Sequence, residues 1–127
     1  MPEPDNLRYT KTHEWVLAEG DTATIGITQH AEEELGDVAL VQLPEVGLMV
    51  QEGQKFGEIE SIKAVSELFS PVSGEVVAVN DHLNSAPEEV NDDPYGKGWM
   101  IKVRMSNPGE VGSLLDTNGY EAFLEES

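Results

Sequence analysis

The stretch Glu60-Ser61-Ile62-Lys63-Ala64-Val65-Ser66-Glu67 sets one lysine between two apolar, β-prone runs. Phe56, Gly57, Ile59 and Ile62 precede it, and Val65, Leu68, Phe69 and then Pro71-Val72-Ser73-Gly74 follow it, so Lys63 falls where a hairpin would reverse. A reactive amine at a rigid tip suits covalent attachment. An isolated surface lysine is ordinarily a solvated charge. Here Ile62-Lys63 lacks the Asn-Gly chemistry that a two-residue hairpin turn prefers, and a local rule broken at a tip is where function is expected.

Other chemistry finds little support. The histidines His13, His30 and His82 lie far apart and belong to no spaced metal motif, so each reads as structural or surface. The acidic loop Asn91-Asp92-Asp93-Pro94-Tyr95-Gly96 has a superficial likeness to a calcium loop. Lys102, however, stands where a bidentate glutamate is needed, and Tyr95 replaces a ligand. No GxSxG elbow, phosphate-cradling GxxxxGK[ST] or dinucleotide fingerprint is present, which argues against a freestanding enzyme. With no cysteine, the chain has no thiolate nucleophile, disulfide or Cys-ligated metal, and any redox sulfur must come from a cofactor.

The elements that would position Lys63 are short strands. Alternation is clearest in 23–27, 38–43, 74–79 and 99–105, with turn residues at 19–21, 44–47, 51–53, 71–74 and 92–96. This spacing predicts a mainly β sandwich or flattened barrel. Three helical insertions are expected. The first is Gln29 to Leu35 with Thr28 as N-cap and Gly36 to end it, and the second is a turn around Pro87 to Val90. The third is a C-terminal segment from Pro108 to Glu126, split near Gly112 and Asn118-Gly119 and docked through its apolar face.

A length of 127 residues fits one domain, residues 1–127, with residues 1–6 frayed and 107–127 forming the C-terminal helical segment. Hydrophobic residues at 39%, with no run of membrane-spanning length, predict a soluble chain. The start Met1-Pro2-Glu3-Pro4-Asp5 has the pattern of neither a secretory signal nor a transit peptide, so cytoplasmic residence is expected. Twenty-five acidic against seven basic residues give a net charge of -18. That charge repels nucleic acid and anionic membrane surfaces, and serves solubility, steering toward basic partner surfaces, or both.

The segment around Lys63 resembles the lipoyl attachment site of the glycine cleavage system H protein family. The resemblance extends over nearly the whole chain: Tyr9-Thr10 with His13-Glu14-Trp15, Ile25-Gly26-Ile27-Thr28, Leu35-Gly36-Asp37, Leu43-Pro44-Glu45-Val46-Gly47, Ser70-Pro71-Val72-Ser73-Gly74-Glu75-Val76, and Asp93-Pro94-Tyr95-Gly96 with Gly98-Trp99. It implies a barrel-sandwich hybrid of two small antiparallel sheets, with Lys63 on an exposed hairpin, short flanking helices and a helical C-terminus. It also implies a carrier with lipoate on Lys63, which supplies the sulfur this chain lacks.

The implied partners are a glycine decarboxylase that loads an aminomethyl group, an aminomethyltransferase that unloads it, a dihydrolipoyl dehydrogenase, and a lipoate ligase or octanoyltransferase. A monomer suits visits to several enzymes in turn. By the same resemblance, Glu14 and Glu67 would face the cationic amine of the loaded arm in a cleft. Glu34 occupies a position that is often histidine in relatives. Glu60, Ser61, Ile62 and Ala64 would form the surface read by the lipoylating enzyme, which must supply the base, because Glu60 and Glu67 favour the charged lysine. Biotin carriers resemble Met-Lys-Met at this tip and do not fit Ile62-Lys63-Ala64. A 2-oxoacid dehydrogenase lipoyl domain lacks the features at 13–15 and 93–96. An H-like lipoyl carrier or lipoyl donor outside glycine cleavage is the alternative.

Overall fold

The computed structural model describes residues 7–126, so the expectation of fraying at residues 1–6 lies outside the described residues. The order is β1 (Arg8–Tyr9), β2 (Glu14–Glu19), β3 (Thr22–Ile27), α1 (Gln29–Leu35), β4 (Val38–Gln42), β5 (Met49–Val50), β6 (Lys55–Ser61), β7 (Val65–Phe69), β8 (Gly74–Val79), α2 (Glu89–Asp92), β9 (Ile101–Met105) and α3 (Thr117–Glu126). All strand pairings among the described residues are antiparallel. One sheet runs β1-β2-β3-β9-β8-β5 and the other β4-β6-β7. Two sheets of short strands with brief helical insertions are what the alternation and turn spacing predicted.

The main core lies between the sheets, where Val16, Ile25, Val41, Ile59, Leu68, Val76 and Val103 are buried. A second cluster of Leu7, Tyr9, Trp15 and Tyr120 packs α3 onto the β1–β2 edge of the larger sheet. Strand β2 serves both: Val16 enters the first cluster and Trp15 the second, so Glu14, Trp15 and Val16 are buried in succession. Opposite Trp15 in the register stands Gly26, where a Cβ would come within 2.8 Å of the indole. Only glycine leaves that ring its seat.

α1 has the expected bounds. The Thr28 side chain accepts from Ala31 N–H, and Gly36, at φ 77°, ends the helix by donating its N–H to the Glu32 carbonyl. The second helix runs two residues later than expected, because Pro87 opens the preceding turn and its carbonyl accepts from Val90 N–H. Strand β9 begins at Ile101, because Asn80 takes the Trp99 carbonyl and holds that residue in a turn.

The C-terminal segment is divided differently from the expectation. A 3-10 turn spans Pro108–Ser113, including Gly112, and the break falls at residues 114–116. There Leu115 pairs with Tyr9 through bonds of 2.8 and 2.9 Å. Asn118-Gly119 lies inside the first turn of α3, with Gly119 N–H donating to Asp116 Oδ1 at 2.7 Å. Backbone pairing to β1 therefore decides the break, not glycine propensity. No helix among the described residues is long and apolar enough to cross a membrane.

Candidate functional site

Strands β6 and β7 form the hairpin read around the lysine, with Glu60 paired to Val65 and Ser61 N–H donating to the Ala64 carbonyl at 2.8 Å. Among the described residues His13 is the only non-glycine with positive φ, so Ile62 and Lys63 do not adopt the primed turns usual at two-residue tips. The Ser61 side chain compensates: its Oγ accepts from Ala64 N–H at 3.0 Å and from Lys63 N–H at 3.3 Å. Ile62 N–H donates to the Asp37 carbonyl at 3.2 Å, tying the tip to the turn after α1.

The stem of Lys63 runs over Gly36, where a Cβ would stand 3.4 Å from Cε. Glycine at 36 thus serves both the helix end and the close approach of the lysine. Lys63 is exposed, and among the described residues it joins no ion pair. Its amine is free to be modified, and the chain has no sulfur nucleophile of its own, which fits a group bound through the amine.

Beside the tip, a cleft of about 150 Å³ opens between α1, the start of β2 and the β6–β7 hairpin. Glu14, Glu34 and Glu67 all line it, together with His13, Ile27 and Leu68. Three carboxylates distant in sequence are thereby brought to one small cavity with an apolar floor. A larger cavity of about 370 Å³, lined by Phe69, Pro71 and Leu114, backs onto Glu14 from the other side. The smaller cleft is the better site, because it alone gathers the three carboxylates and includes Leu35, the neighbour of the Gly36 that carries the lysine stem.

Glu14 is 1% exposed. Its Oε1 accepts from the Thr10 hydroxyl at 2.6 Å and from the Thr12 hydroxyl, while Oε2 accepts from Phe69 N–H at 3.3 Å. Burial raises its pKa above the ordinary carboxylate value, and these hydrogen bonds oppose the rise. The carboxylate is held in place, and among the described residues it joins no ion pair. Glu67 is differently disposed: it lies 3.3 Å from Lys55 Nζ, which also pairs with Glu58. Glu34 sits on α1 with one carboxylate oxygen 3.4 Å from His30 Nε2.

Some residues of the site escaped the reading of the sequence. Thr10 and Thr12 clamp Glu14, and their places four and two residues before it were the available signal. His13, at φ 70°, pairs its Nδ1 with the Tyr120 hydroxyl at 2.7 Å, and that hydroxyl also lies 2.8 Å from Thr28 Oγ1. Tyr120 thus ties the cleft wall to the N-cap of α1. Burial, and next the adjoining His30, lower the pKa of His13, with Glu34 acting against them. Nothing local in the sequence announces contacts between residues so far apart.

A lysine displayed on a hairpin of a two-sheet β fold, beside an acidic cleft, fits a carrier of an attached arm. Residues 7–127 match the family model described as glycine cleavage H-protein, and the chain belongs to that family. It is similar to the glycine cleavage system H protein of Rubrobacter xylanophilus, 59% identical over 123 residues that cover 97% of this chain and 95% of that one. It is also similar to that of Chromohalobacter salexigens, 56% identical over 122 residues that cover 95% and 93%. The crystal structure of a glycine cleavage system H protein from Mycobacterium marinum superposes with a TM-score of 0.88 at 41% identity, covering 97% of this chain and 99% of that one. The protein is accordingly a lipoyl carrier component of the glycine cleavage system and is not itself a catalyst.

Proposed function

We propose that Lys63 is the residue that carries lipoate, in amide linkage, and that Glu14 and Glu67 hold the ammonium end of the cargo in the cleft beside it. The single observation that carries this reading is an exposed lysine on a rigid tip adjacent to a cleft that gathers carboxylates from three elements. Lipoate, once attached, supplies a dithiolane that takes up the aminomethyl group from glycine and is reoxidised after that group is passed on.

The chain's own residues do the rest by positioning and exclusion. Ser61 fixes the backbone on both sides of the lysine, so the attachment point does not wander. Glu14, already fastened by two threonines, offers a charge that needs no reorganisation when a cation arrives. Ile27 and Leu68 exclude water from the apolar floor, which slows hydrolytic loss of an amine and a sulfur sharing one carbon. Glu67 joins by exchanging Lys55 for the cargo ammonium. Glu34 adds charge at the α1 side of the same cleft.

In this reading the partners are the glycine decarboxylase, the aminomethyltransferase, dihydrolipoyl dehydrogenase and a lipoate ligase or octanoyltransferase, which act on a cytoplasmic monomer. Glu60, Ser61, Ile62 and Ala64 form the surface by which the lipoylating enzyme finds Lys63. Lipoylated protein is expected to support exchange of the glycine carboxyl with bicarbonate in the presence of the decarboxylase, and Lys63→Arg is expected to abolish it. Exchange by the arginine variant at the wild-type rate would refute the attachment site.

A further inference from the structure

We infer that Asn91, on α2, is a positioning residue for the arm: its side-chain amide clips the turn at residues 36–38 on which the Lys63 stem lies, and so sets the direction in which the arm leaves for the cleft. The inference rests on the attachment reading above and adds to it a residue outside both the hairpin and the lining of the cleft.

The clip is built from one amide. Asn91 Nδ2 donates to the Gly36 carbonyl at 2.8 Å, and Asn91 Oδ1 accepts from Val38 N–H at 2.9 Å. Nδ2 also lies 3.2 Å from Glu32 Oε1, on the last turn of α1. A side-chain amide offers a donor and an acceptor side by side, which an ionised carboxylate does not. One residue thereby joins the end of α1 to the start of β4. Its base is firm, because its neighbour Val90 is fully buried in the main core.

The same turn is the seat of the arm. Gly36 takes the lysine stem, the Asp37 carbonyl holds Ile62 N–H beside it, and Leu35, one residue earlier, lines the cleft. An amide on Nζ lengthens the stem and leaves its seat unchanged, so any displacement of the turn is carried into the first bonds of the arm. Without Asn91 the Gly36 carbonyl and the Val38 N–H turn to water, and the turn loosens. The loaded arm then docks less often. An undocked arm is unaffected, since nothing on the tip itself has changed.

The test uses the full chain, lipoylated and loaded. Asn91→Ala is expected to raise the rate of formaldehyde and ammonia release about threefold or more, and to speed hydrogen exchange at the Ile62 amide. KM and kcat for reoxidation of the dihydrolipoyl form by a dihydrolipoyl dehydrogenase stay at their wild-type values. Asn91→Asp has the same shape, keeps the bond from Val38 N–H and loses the donation to the Gly36 carbonyl, so it raises release in the same direction. Asn80→Ala controls for stability. That side chain, 8% exposed, donates to the carbonyls of Lys97 and Trp99 at 2.8 Å each but stands apart from the turn, so its variant loses stability and releases cargo like wild type. Release at the wild-type rate in both Asn91 variants would overturn the inference. So would an equal rise in Asn80→Ala, which would show that release follows stability alone. A wild-type chain whose lipoyl group sits elsewhere than Lys63 would instead remove the attachment reading, and this one with it.

Discussion

Replacing Glu14 by Gln tests whether its charge, and not its shape, serves the cleft. The amide fits the same space, and its oxygen can still accept from the Thr10 and Thr12 hydroxyls. What is lost is the weak bond from Phe69 N–H, at 3.3 Å, and the negative charge. Because burial raises the Glu14 pKa, the folded state binds its proton more readily than the unfolded chain does. Ionised Glu14 therefore costs stability above its raised pKa, and that cost is relieved as pH falls through the raised value toward the ordinary one. Glu14→Gln removes this cost and loses about 1 kcal/mol of hydrogen bonding, so its stability at neutral pH should stay within about 1 kcal/mol of wild type. The hydrogen bond proposed from the cargo ammonium to Glu14 would, by contrast, be charge-assisted and contribute about 1.5–3 kcal/mol. Its loss lowers the docked fraction about ten- to a hundredfold. The assay is the rate at which loaded, lipoylated protein releases formaldehyde and ammonia, read beside a urea unfolding curve. An unchanged release rate with an unchanged unfolding midpoint would show that the Glu14 charge does not hold the cargo.

Lys55→Gln frees Glu67 from its present partner, so the cargo should dock about two- to fivefold more strongly and release should slow to match; faster release would show that Lys55 helps the site and does not compete with the cargo. Tyr120→Phe removes the hydroxyl shared by His13 and Thr28 and should cost about 1–3 kcal/mol by denaturant unfolding. Because the folded-state pKa of His13 is lowered, its contribution to stability is present above the ordinary histidine value and is lost as pH falls below it. An NMR titration in which the His13 pKa lies above the ordinary value would contradict this.

The parts of the fold governed by neighbouring residues were legible in the sequence. Thr28 and Gly36 bounded α1 because capping is local, and the apolar runs on either side of Lys63 marked β6 and β7 because the strands are short and continuous. Strand β2 was hidden, since Trp15 and Val16 enter different cores and the burial does not alternate. The break before α3 was misplaced for a similar reason: Leu115 is held extended by Tyr9, far away in the chain.

At the site, Lys63 stood out from the apolar runs on either side of it, and Glu14, Glu67 and Glu34 were named by the family resemblance. Their environments were not legible. The pairing of Lys55 with Glu67 depends on the β6–β7 register, and the grip of Thr10 and Thr12 on Glu14 depends on a turn that puts His13 at positive φ. Such arrangements follow from tertiary geometry, which single residues do not declare.

Peptide mass mapping of the protein isolated from its native host tests the central claim most directly. If Lys63 anchors the arm, the map shows one lipoyl amide, on Lys63 and on no other lysine. A chain whose Lys63 is unmodified, or whose lipoyl group sits on a different lysine, would contradict it.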